Sequence, residues 1–401
     1  MVGGRLPAPL MCLGIALSLA GCGGGSTSTS SQPTSSAPSA ISVSISPSSA
    51  QVQVGSTQQF TAMVSNANNT AVQWLVNGIA GGNTTIGTIA SNGLYVAPAA
   101  VPNPATVTVT AVSQEESIKS GAAATTIVLP HIGHVFLLVE ENHDYNSVIG
   151  NSAMPYLNSL ASAYGLATNY YANTHPSIGN YFTLTTGQII TNNDTYTATV
   201  SADNLLRELI AAGKTWKSYA ESLPSVGYTG GDVYPYLAYH NPPSYFSDVR
   251  NSSTEVLNLV PFTQLATDLA NDQLPNFGFI VPNAEDDAHD CPDGTQNCAD
   301  NVRLSRADSW LQANISPLVA SASFQQDGLL IIVFDESLKS DPRHGGGHVA
   351  LLMISRKAKA SFRSITFYQH ESTLRTLVET TAAAGLPGAS ASATDMGEFF
   401  P

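Results

Sequence analysis

The pattern of hydrophobic and polar positions changes at about residue 130 of the chain. Between residues 41 and 128, β-branched and polar residues alternate in short runs, which are separated by Gly, Asn and Pro: ISVSISPSSAQVQVGSTQQFTAMV, VQWLVNG and ATVTVTAVS. This period-two alternation predicts strands with one buried face. Several such strands in succession predict a small all-β sandwich with Trp74 in its core.

The same segment resembles a known domain family. GTIASNGLYVAP is similar to the late-strand pattern of bacterial immunoglobulin-like (Ig-like) domains, so the resemblance implies an Ig-like sandwich over residues 41–128.

Residues 131–401 carry continuous apolar runs instead. Four of them predict buried strands: HVFLLVEEN, FGFIVPNAEDDAHD, GLLIIVFDES and HVALLMIS. Amphipathic runs between them predict helices: ADNLLRELIAAGK, PFTQLATDLAND and ADSWLQANISPLVASA. The alternation of such strands with helices predicts an α/β domain with a mainly parallel sheet and helices on both faces. In open sheets of this type, ligands bind outside the carboxyl ends of the strands.

The ends of these predicted strands are rich in acidic side chains. Three of the strands lead into Glu140, Glu141 and Asn142, into Asp286, Asp287, His289 and Asp290, and into Asp335, Glu336 and Ser337. Carboxylates that meet at one sheet edge repel one another unless a cation joins them, so the pattern predicts a divalent metal ion. An all-oxygen ligand set suits Mg²⁺, Ca²⁺ or Mn²⁺, whereas participation of histidine favours Zn²⁺.

The stretch NTHPSIGNYFTLTTGQ, residues 173–188, predicts a helix that begins near Pro176 and ends at Gly187. Ser177 would then lie at the helix N-terminus, where free backbone N–H groups attract anions. Ser177 is either a helix cap or a nucleophile. The chain has no G-x-S-x-G elbow and no Walker-type or dinucleotide-binding loop, which leaves metal-assisted transfer as the favoured chemistry.

The N-terminus has the pattern of a lipoprotein signal. Arg5 precedes a short apolar run, and LAGC matches the bacterial lipobox, which predicts a signal peptide over residues 1–21 and lipidation of Cys22. Residues 22–40, rich in Gly, Ser, Thr and Pro, predict a flexible tether. We therefore expect a cell-envelope protein that a lipid anchors to a membrane.

Charge and cysteine content limit the partners further. With 15 Lys plus Arg against 29 Asp plus Glu, the formal net charge of −14 excludes non-specific nucleic-acid binding. An anionic substrate would need a local positive centre, which a metal ion supplies. Cys291 and Cys298 in CPDGTQNC predict a disulfide rather than a zinc site, because a zinc site needs more ligands at paired spacing.

Several motifs resemble one known family in a common order. LLVEENHDYNSVIG resembles the opening motif of the bacterial phosphoesterase family, which contains acid phosphatases and phospholipases C and is related to the alkaline phosphatase superfamily. HPSIGNYFTLTTG resembles its nucleophile segment, although Gly179 stands where related enzymes have proline. TWKSYAESLP, YHNPPSYF, PNAEDDAHD, VFDES and YQHESTLRTLVE resemble further segments, so that the resemblance covers residues 131–385.

The resemblance implies a role for each matching residue. The implied metal ligands are Glu141, Asn142, Ser177, Asp335 and Glu336, with Ser177 also as nucleophile. His240 and His289 would contact the phosphoryl oxygens or serve the leaving group, and Asp287 would orient one of them. Asn180 would donate a hydrogen bond to the phosphoryl group. Two roles stay open for His344 and His348: they could be ligands of a second metal ion, or structural residues of a glycine-rich loop.

These roles imply a phosphomonoesterase of the acid phosphatase type, which hydrolyses a phosphate ester through a phosphoserine intermediate. Two alternatives stay open: a phosphodiesterase of the phospholipase C type, and a non-catalytic surface protein whose Ig-like sandwich binds glycans. The intact carboxylates at the strand ends count against a non-catalytic scaffold.

Overall fold

The computed structural model describes residues 39–401. The predicted signal peptide, the lipidation site Cys22 and almost all of the predicted tether lie outside these residues. Residues 41–401 form one compact unit. Among the described residues, no helix combines the length and the apolar character that a membrane span requires.

The first part of this unit, residues 41–128, contains strands β1 to β11. In chain order they are β1 Ser42–Ser46, β2 Ser49–Gln53, β3 Thr57–Gln59, β4 Thr61–Ser65, β5 Val72–Val76, β6 Ile79–Ala80, β7 Gly82–Asn83, β8 Gly87–Ile89, β9 Leu94–Val96, β10 Thr106–Ser113 and β11 Ser120–Val128. They form three sheets with the orders β1-β4, β2-β11-β10-β5-β6 and β3-β9-β8-β7. Alternate residues of β10 are buried, as the period-two pattern predicts, and Phe60, Trp74 and Tyr95 lie in the core. The Ig-like assignment stays a prediction.

The second part contains a larger sheet. Its strands are β12 His134–Glu140, β13 Gly165–Ala167, β14 Trp216–Ala220, β15 Leu259–Pro261, β16 Phe277–Val281, β17 Gly328–Phe334, β18 Leu351–Ile354 and β19 Arg363–Ser364. Within residues 131–401 they form one eight-stranded sheet with the order β15-β14-β16-β12-β17-β18-β13-β19. Only β18 runs antiparallel to its neighbours, so the predicted mainly parallel sheet is confirmed. The sequence pattern missed β13, β14, β15 and β19, which are short.

Helices alternate with these strands. They are α1 Tyr145–Val148, α2 Pro155–Ala163, α3 Ser177–Thr186, α4 Leu205–Ala211, α5 Ser247–Arg250, α6 Gln264–Ala270, α7 Asp300–Ala320, α8 Ala322–Asp327 and α9 His370–Thr381, and short 3₁₀ turns cover Ala238–His240, Pro242–Tyr245, Glu255–Asn258, Pro292–Gly294, Gly388–Ala391 and Gly397–Phe399. Two groups of helices pack together, α2 with α7 and α8, and α3 with α4 and α9. Every residue of β16 and β17 is buried, as expected for a sheet covered on both faces.

The strand order brings the acidic strand ends together. Strand β12 lies between β16 and β17 and runs parallel to both. Beyond the strands, the Asp335 amide donates to the Glu140 carbonyl at 2.9 Å, and the Glu141 amide donates to the Asp287 carbonyl at 2.9 Å. These backbone bonds hold three acidic segments at one edge of the sheet.

Candidate active site

Ser177 is the first residue of α3, as the stretch around Pro176 predicts. Pro176 is the N-cap, and the helix ends at Gly187, whose φ of 66° lies in the left-handed region that favours glycine. The N-cap makes no side-chain capping bond. The Ser177 Oγ instead donates to Glu141 Oε2 at 3.0 Å, and the side chain is buried. The hydroxyl is therefore directed at an acidic strand end rather than at the backbone of its own helix.

The Glu141 carboxylate lies at the centre of the cluster. Its Oε2 also accepts a hydrogen bond from Asn142 Nδ2 at 2.9 Å. Its Oε1 lies 3.2 Å from His240 Nε2, yet neither atom has a partner with hydrogen-bond geometry among the described residues. The two oxygens of one carboxylate thus face Ser177 on one side and His240 on the other.

His240 is fixed by its neighbours on three sides. Its Nδ1 lies 3.1 Å from Asp287 Oδ2, and the ring of Tyr181 stacks on it at a centroid distance of 5.0 Å. Asp287 Oδ1 accepts from the His289 amide at 2.8 Å, so one carboxylate positions both histidine segments. The predicted orienting contact of Asp287 is present in the structure.

Asp335 and Glu336 differ in their surroundings. Asp335 Oδ1 accepts from the Asn142 amide at 3.0 Å, and its buried Oδ2 has no hydrogen-bond partner among residues 39–401. Glu336 Oε2 lies 3.1 Å from His175 Nδ1 and 3.3 Å from Asn180 Nδ2. Asp335 therefore borders Glu141 through Asn142, whereas Glu336 contacts a separate pair of side chains.

Asn180 is used by the protein itself. Its Oδ1 accepts from the amides of Asn173 and Thr174, both at 3.1 Å, and its Nδ2 donates to the Thr174 carbonyl at 2.8 Å as well as to Glu336. Both amide hydrogens are engaged. To donate to a phosphoryl group as predicted, Asn180 Nδ2 would have to give up its bond to Thr174 or to Glu336.

Burial controls the protonation of this cluster. It raises the pKa of Asp335 and of Asp287 to about 7 each, and that of Glu336 to about 10. It also raises the pKa of Glu141 well above its usual range, and the charges of Asp335 and Asp287 raise it further. Burial lowers the pKa of His240 well below its usual range. For His289, burial lowers the pKa, but the bond to Asp290 and nearby carboxylates raise it on balance.

The cluster fits a bound cation. Glu141, His240 and His289 each offer one ligand atom, and these atoms lie within 4.8 Å of one another. Glu141 Oε1, His240 Nε2 and Asp335 Oδ2 are buried without a hydrogen-bond partner in the described part of the chain. Buried unpaired acceptors are costly, and a divalent cation would satisfy several of them at once. Of the five ligands that the resemblance implies, only Glu141 belongs to this triad.

The raised carboxyl pKa values predict how pH affects the metal-free protein. The folded pKa of about 7 for Asp287 and Asp335 exceeds the value of about 3.9 for an unfolded aspartate. Because the folded pKa is the higher one, their stability contribution is complete below about pH 4 and is lost as the pH rises through about 7. With chelator, the melting temperature should fall between about pH 5 and pH 8, and a divalent cation should raise it most at the higher pH.

Glu379 offers a matched control for this pH series. Burial raises its pKa to about 7 as well, but it pairs with Arg375 on α9, outside the cluster. Glu379→Gln should reduce the fall in melting temperature and leave the response to cation unchanged. A metal-free melting temperature that does not fall over this pH range would contradict the stated pKa direction.

His344 and His348 lie in an aromatic cluster rather than beside the triad. His348 stacks on Tyr145 at a centroid distance of 4.5 Å, and its Nε2 contacts the Thr168 carbonyl at 3.1 Å. His344 packs against Tyr171 and Phe367. Neither histidine belongs to the metal-compatible group found among residues 39–401, so the structure favours their structural role.

Three residues near the site escaped the sequence analysis. His370 Nε2 lies 2.6 Å from the Asp335 carbonyl, and its Nδ1 lies 2.9 Å from the Tyr170 hydroxyl. His175 contacts Glu336, and Asp194 Oδ1 accepts from the Ile178 amide at 3.2 Å. His175 and His370 lie within the family-like segments HPSIGNYFTLTTG and YQHESTLRTLVE, whereas Asp194 lies in no such segment.

The predicted disulfide is present. Cys291 and Cys298 are joined by an S–S bond and close the loop that follows His289 and Asp290.

Comparison with known proteins agrees with this arrangement. The profile of the phosphoesterase family matches residues 151–381, more than half of the 401-residue chain. The chain belongs to the phosphoesterase family. The matched range contains Ser177, Asn180, His240, Asp287, His289, Asp335 and Glu336, whereas Glu141 and Asn142 precede it.

Two phosphatases and one solved structure are similar to the chain as well. A phosphatidylinositol-3-phosphatase from Mycobacterium tuberculosis is 33% identical over 54% of this chain and 67% of its own length. A probable acid phosphatase from Kluyveromyces lactis is 26% identical over 72% of this chain and 69% of its own length. A solved protein of the alkaline phosphatase superfamily from Vibrio parahaemolyticus has a TM-score of 0.46 and 14% identity, covering 64% of this chain and 68% of that chain.

Family and relatives establish the class of reaction. This phosphoesterase is a hydrolase that acts on phosphoric ester bonds. The hypothesis of a non-catalytic surface protein is therefore set aside.

Proposed function

We propose that this phosphoesterase is a metal-dependent phosphomonoesterase that acts through a phosphoserine intermediate on Ser177. The contact that carries the proposal is the 3.0 Å hydrogen bond from Ser177 Oγ to Glu141 Oε2. The other oxygen of the same carboxylate faces His240 within the metal-compatible triad. A nucleophile and a candidate cation site that share one carboxylate support nucleophilic displacement at phosphorus.

Either of two alternative ligand sets would hold the ion. One is the oxygen-rich set that the resemblance implies: Glu141, Asn142, Ser177, Asp335 and Glu336. The other is the triad of Glu141, His240 and His289. Glu141 is common to both, and a bound ion would supply Lewis-acid stabilisation of charge and a lower pKa of the serine hydroxyl.

The reaction proceeds in two displacements. Ser177 Oγ forms a bond to phosphorus, the ester P–O bond breaks, and the alcohol leaves with a proton. Water then forms a bond to phosphorus, the P–Oγ bond breaks, and inorganic phosphate is released with Ser177 restored. With the oxygen-rich set as the ion's ligands, His289 would be free to donate the proton to the leaving ester oxygen. Its raised pKa favours that proton, and Asp290 Oδ1 holds its Nδ1 at 2.9 Å.

The names of the relatives support a monoester substrate. A phosphatidylinositol-3-phosphatase and a probable acid phosphatase are both phosphatases by name. A diester of the phospholipase C type is the alternative. Lipidation of Cys22, a location in the cell envelope and a glycan contact of the strand-rich N-terminal part stay predictions.

An assay on two matched substrates tests the function. The protein should hydrolyse p-nitrophenyl phosphate at least about 100-fold faster, in kcat/KM, than p-nitrophenylphosphorylcholine, since a phosphomonoesterase stabilises the transition state of a terminal phosphate better than that of a diester. Chelator should abolish both activities, and readdition of a divalent cation should restore them. Preference for the choline ester would favour the diesterase, and full activity in chelator would exclude metal dependence.

A further inference from the structure

A cavity of about 310 Å³ opens beside the candidate active site. We call it the disulfide cavity; it is lined by Tyr234, His289, Asp290, Arg303 and the loop of residues 291–298. His289 belongs both to this wall and to the metal-compatible triad. Arg303 Nη1 donates to the His289 carbonyl at 3.0 Å, which ties the cavity wall to the site. A larger cavity of about 460 Å³ lies around Trp216 and Pro275, at the amino ends of β14 and β16, and is not lined by Glu141, Asp287 or Asp335.

The lining combines an aromatic ring with exposed polar side chains. Tyr234 is 53% exposed, and its hydroxyl is held by Glu285 Oε1 at 3.1 Å. The side chains of Thr295, Gln296 and Asn297 line the cavity, are exposed, and make no side-chain hydrogen bond within the described residues. Each of these three groups can both donate and accept. Such a wall suits hydroxyl groups around a ring whose C–H face packs on the tyrosine.

A series of contacts joins the nucleophile to the disulfide cavity. Ser177 contacts Glu141 Oε2, whereas Oε1 faces His240, which packs against His289 at a ring centroid distance of 5.7 Å. An in-line displacement requires the leaving oxygen to depart opposite the attacking one. A phosphoryl group between Ser177 and His289 would therefore direct its leaving group towards the disulfide cavity.

We propose that the disulfide cavity is the leaving-group subsite and that it takes a hydroxyl-rich ring, as in a sugar or cyclitol monophosphate. This inference rests on the proposed function. Gln296 and Tyr234 determine specificity by hydrogen bonding and ring packing, and the Cys291–Cys298 disulfide fixes the loop that presents Gln296. The same ring chemistry occurs in free monophosphates and in phosphorylated lipid headgroups.

Two unactivated monoesters separate ring recognition from chemistry. The wild type should prefer a myo-inositol monophosphate to ethyl phosphate by about tenfold or more in kcat/KM, because only the ring can use the polar wall. Gln296→Ala should lower kcat/KM for the inositol ester by about tenfold and leave ethyl phosphate within about twofold, the loss expected for one hydrogen-bonding group. Tyr234→Ala should likewise lower kcat/KM for the inositol ester. Because Tyr234 lies outside the loop of residues 291–298, this variant controls for an effect confined to that loop.

Gln312→Ala is the matched control, since Gln312 is also exposed but lies on α7, outside the disulfide cavity. Gln312→Ala should leave kcat/KM unchanged for both substrates. The lipid source is tested with vesicles that contain a phosphatidylinositol monophosphate. If Gln296→Ala lowers kcat/KM for the free inositol ester alone, the subsite is supported for free monophosphates. If it lowers the rate on both the free ester and the vesicles, the subsite also takes the lipid headgroup.

Three results would overturn the subsite. The wild type could show equal kcat/KM for the inositol ester and ethyl phosphate, or Gln296→Ala could lower kcat/KM equally for both esters. The third result is a Gln296→Ala loss that occurs only on vesicles. A wild type that hydrolyses neither ester, nor p-nitrophenyl phosphate, would instead refute the proposed function.

Discussion

Ser177→Ala is expected to lose nearly all turnover and to keep its fold. The proposed covalent nucleophile is removed, and such losses reach about 10³-fold or more in kcat, or about 4 kcal/mol of barrier. The cost in stability should be small, because Ser177 is the first residue of α3 and makes no capping bond. Its hydroxyl donates to Glu141 Oε2, which keeps the bond from Asn142 Nδ2. Steady-state kinetics and thermal unfolding measure the two effects separately.

Ser321 supplies the matched control for this substitution. It caps α8, where its side chain accepts from the Phe324 amide. Ser321→Ala should therefore lower the free energy of unfolding by about 0.5–2 kcal/mol and leave kcat unchanged. If Ser177→Ala behaves like Ser321→Ala, with lowered stability and normal turnover, Ser177 is not the nucleophile. Thr174 would then be the next candidate, although its Oγ1 already accepts from Asn192 Nδ2 at 2.9 Å.

The strand-end rule explains why much of this site could be predicted from sequence. Glu141, Asp287 and Asp335 each follow an apolar run that becomes β12, β16 or β17, and these three strands are neighbours. Any parallel arrangement that pairs them brings the three carboxyl groups to one edge. The helix that begins after Pro176 could likewise be predicted, because proline and glycine limit its two ends.

Side-chain orientation could not be predicted in the same way. Glu336 follows Asp335 directly, yet it contacts His175 and Asn180, whereas Asp335 accepts from the Asn142 amide. His370 reaches the Asp335 carbonyl from a helix 35 residues further along the chain. Such contacts depend on how α3 and α9 pack on the sheet, and no local pattern encodes that packing.

Glu141→Gln is expected to abolish tight binding of a divalent cation, and turnover with it. Glutamine keeps the volume and can still accept from Ser177, so the substitution removes mainly the charge at the one residue common to both ligand sets. Loss of a carboxylate ligand should weaken the binding of the cation by about 100-fold or more. Calorimetric titration of the metal into the chelator-treated protein measures this directly, without a requirement for activity.

The adjacent Glu140 provides the control for that titration. It is fully buried on β12, its two oxygens have no hydrogen-bond partner among the described residues, and burial raises its pKa well above the usual range. It is not a member of the triad, so Glu140→Gln should keep the metal affinity. His289→Gln and Asp335→Asn then separate the two ligand sets. Loss of affinity in His289→Gln alone assigns the ion to the triad, and loss in Asp335→Asn alone assigns it to the oxygen-rich set. Undiminished affinity in Glu141→Gln would contradict both.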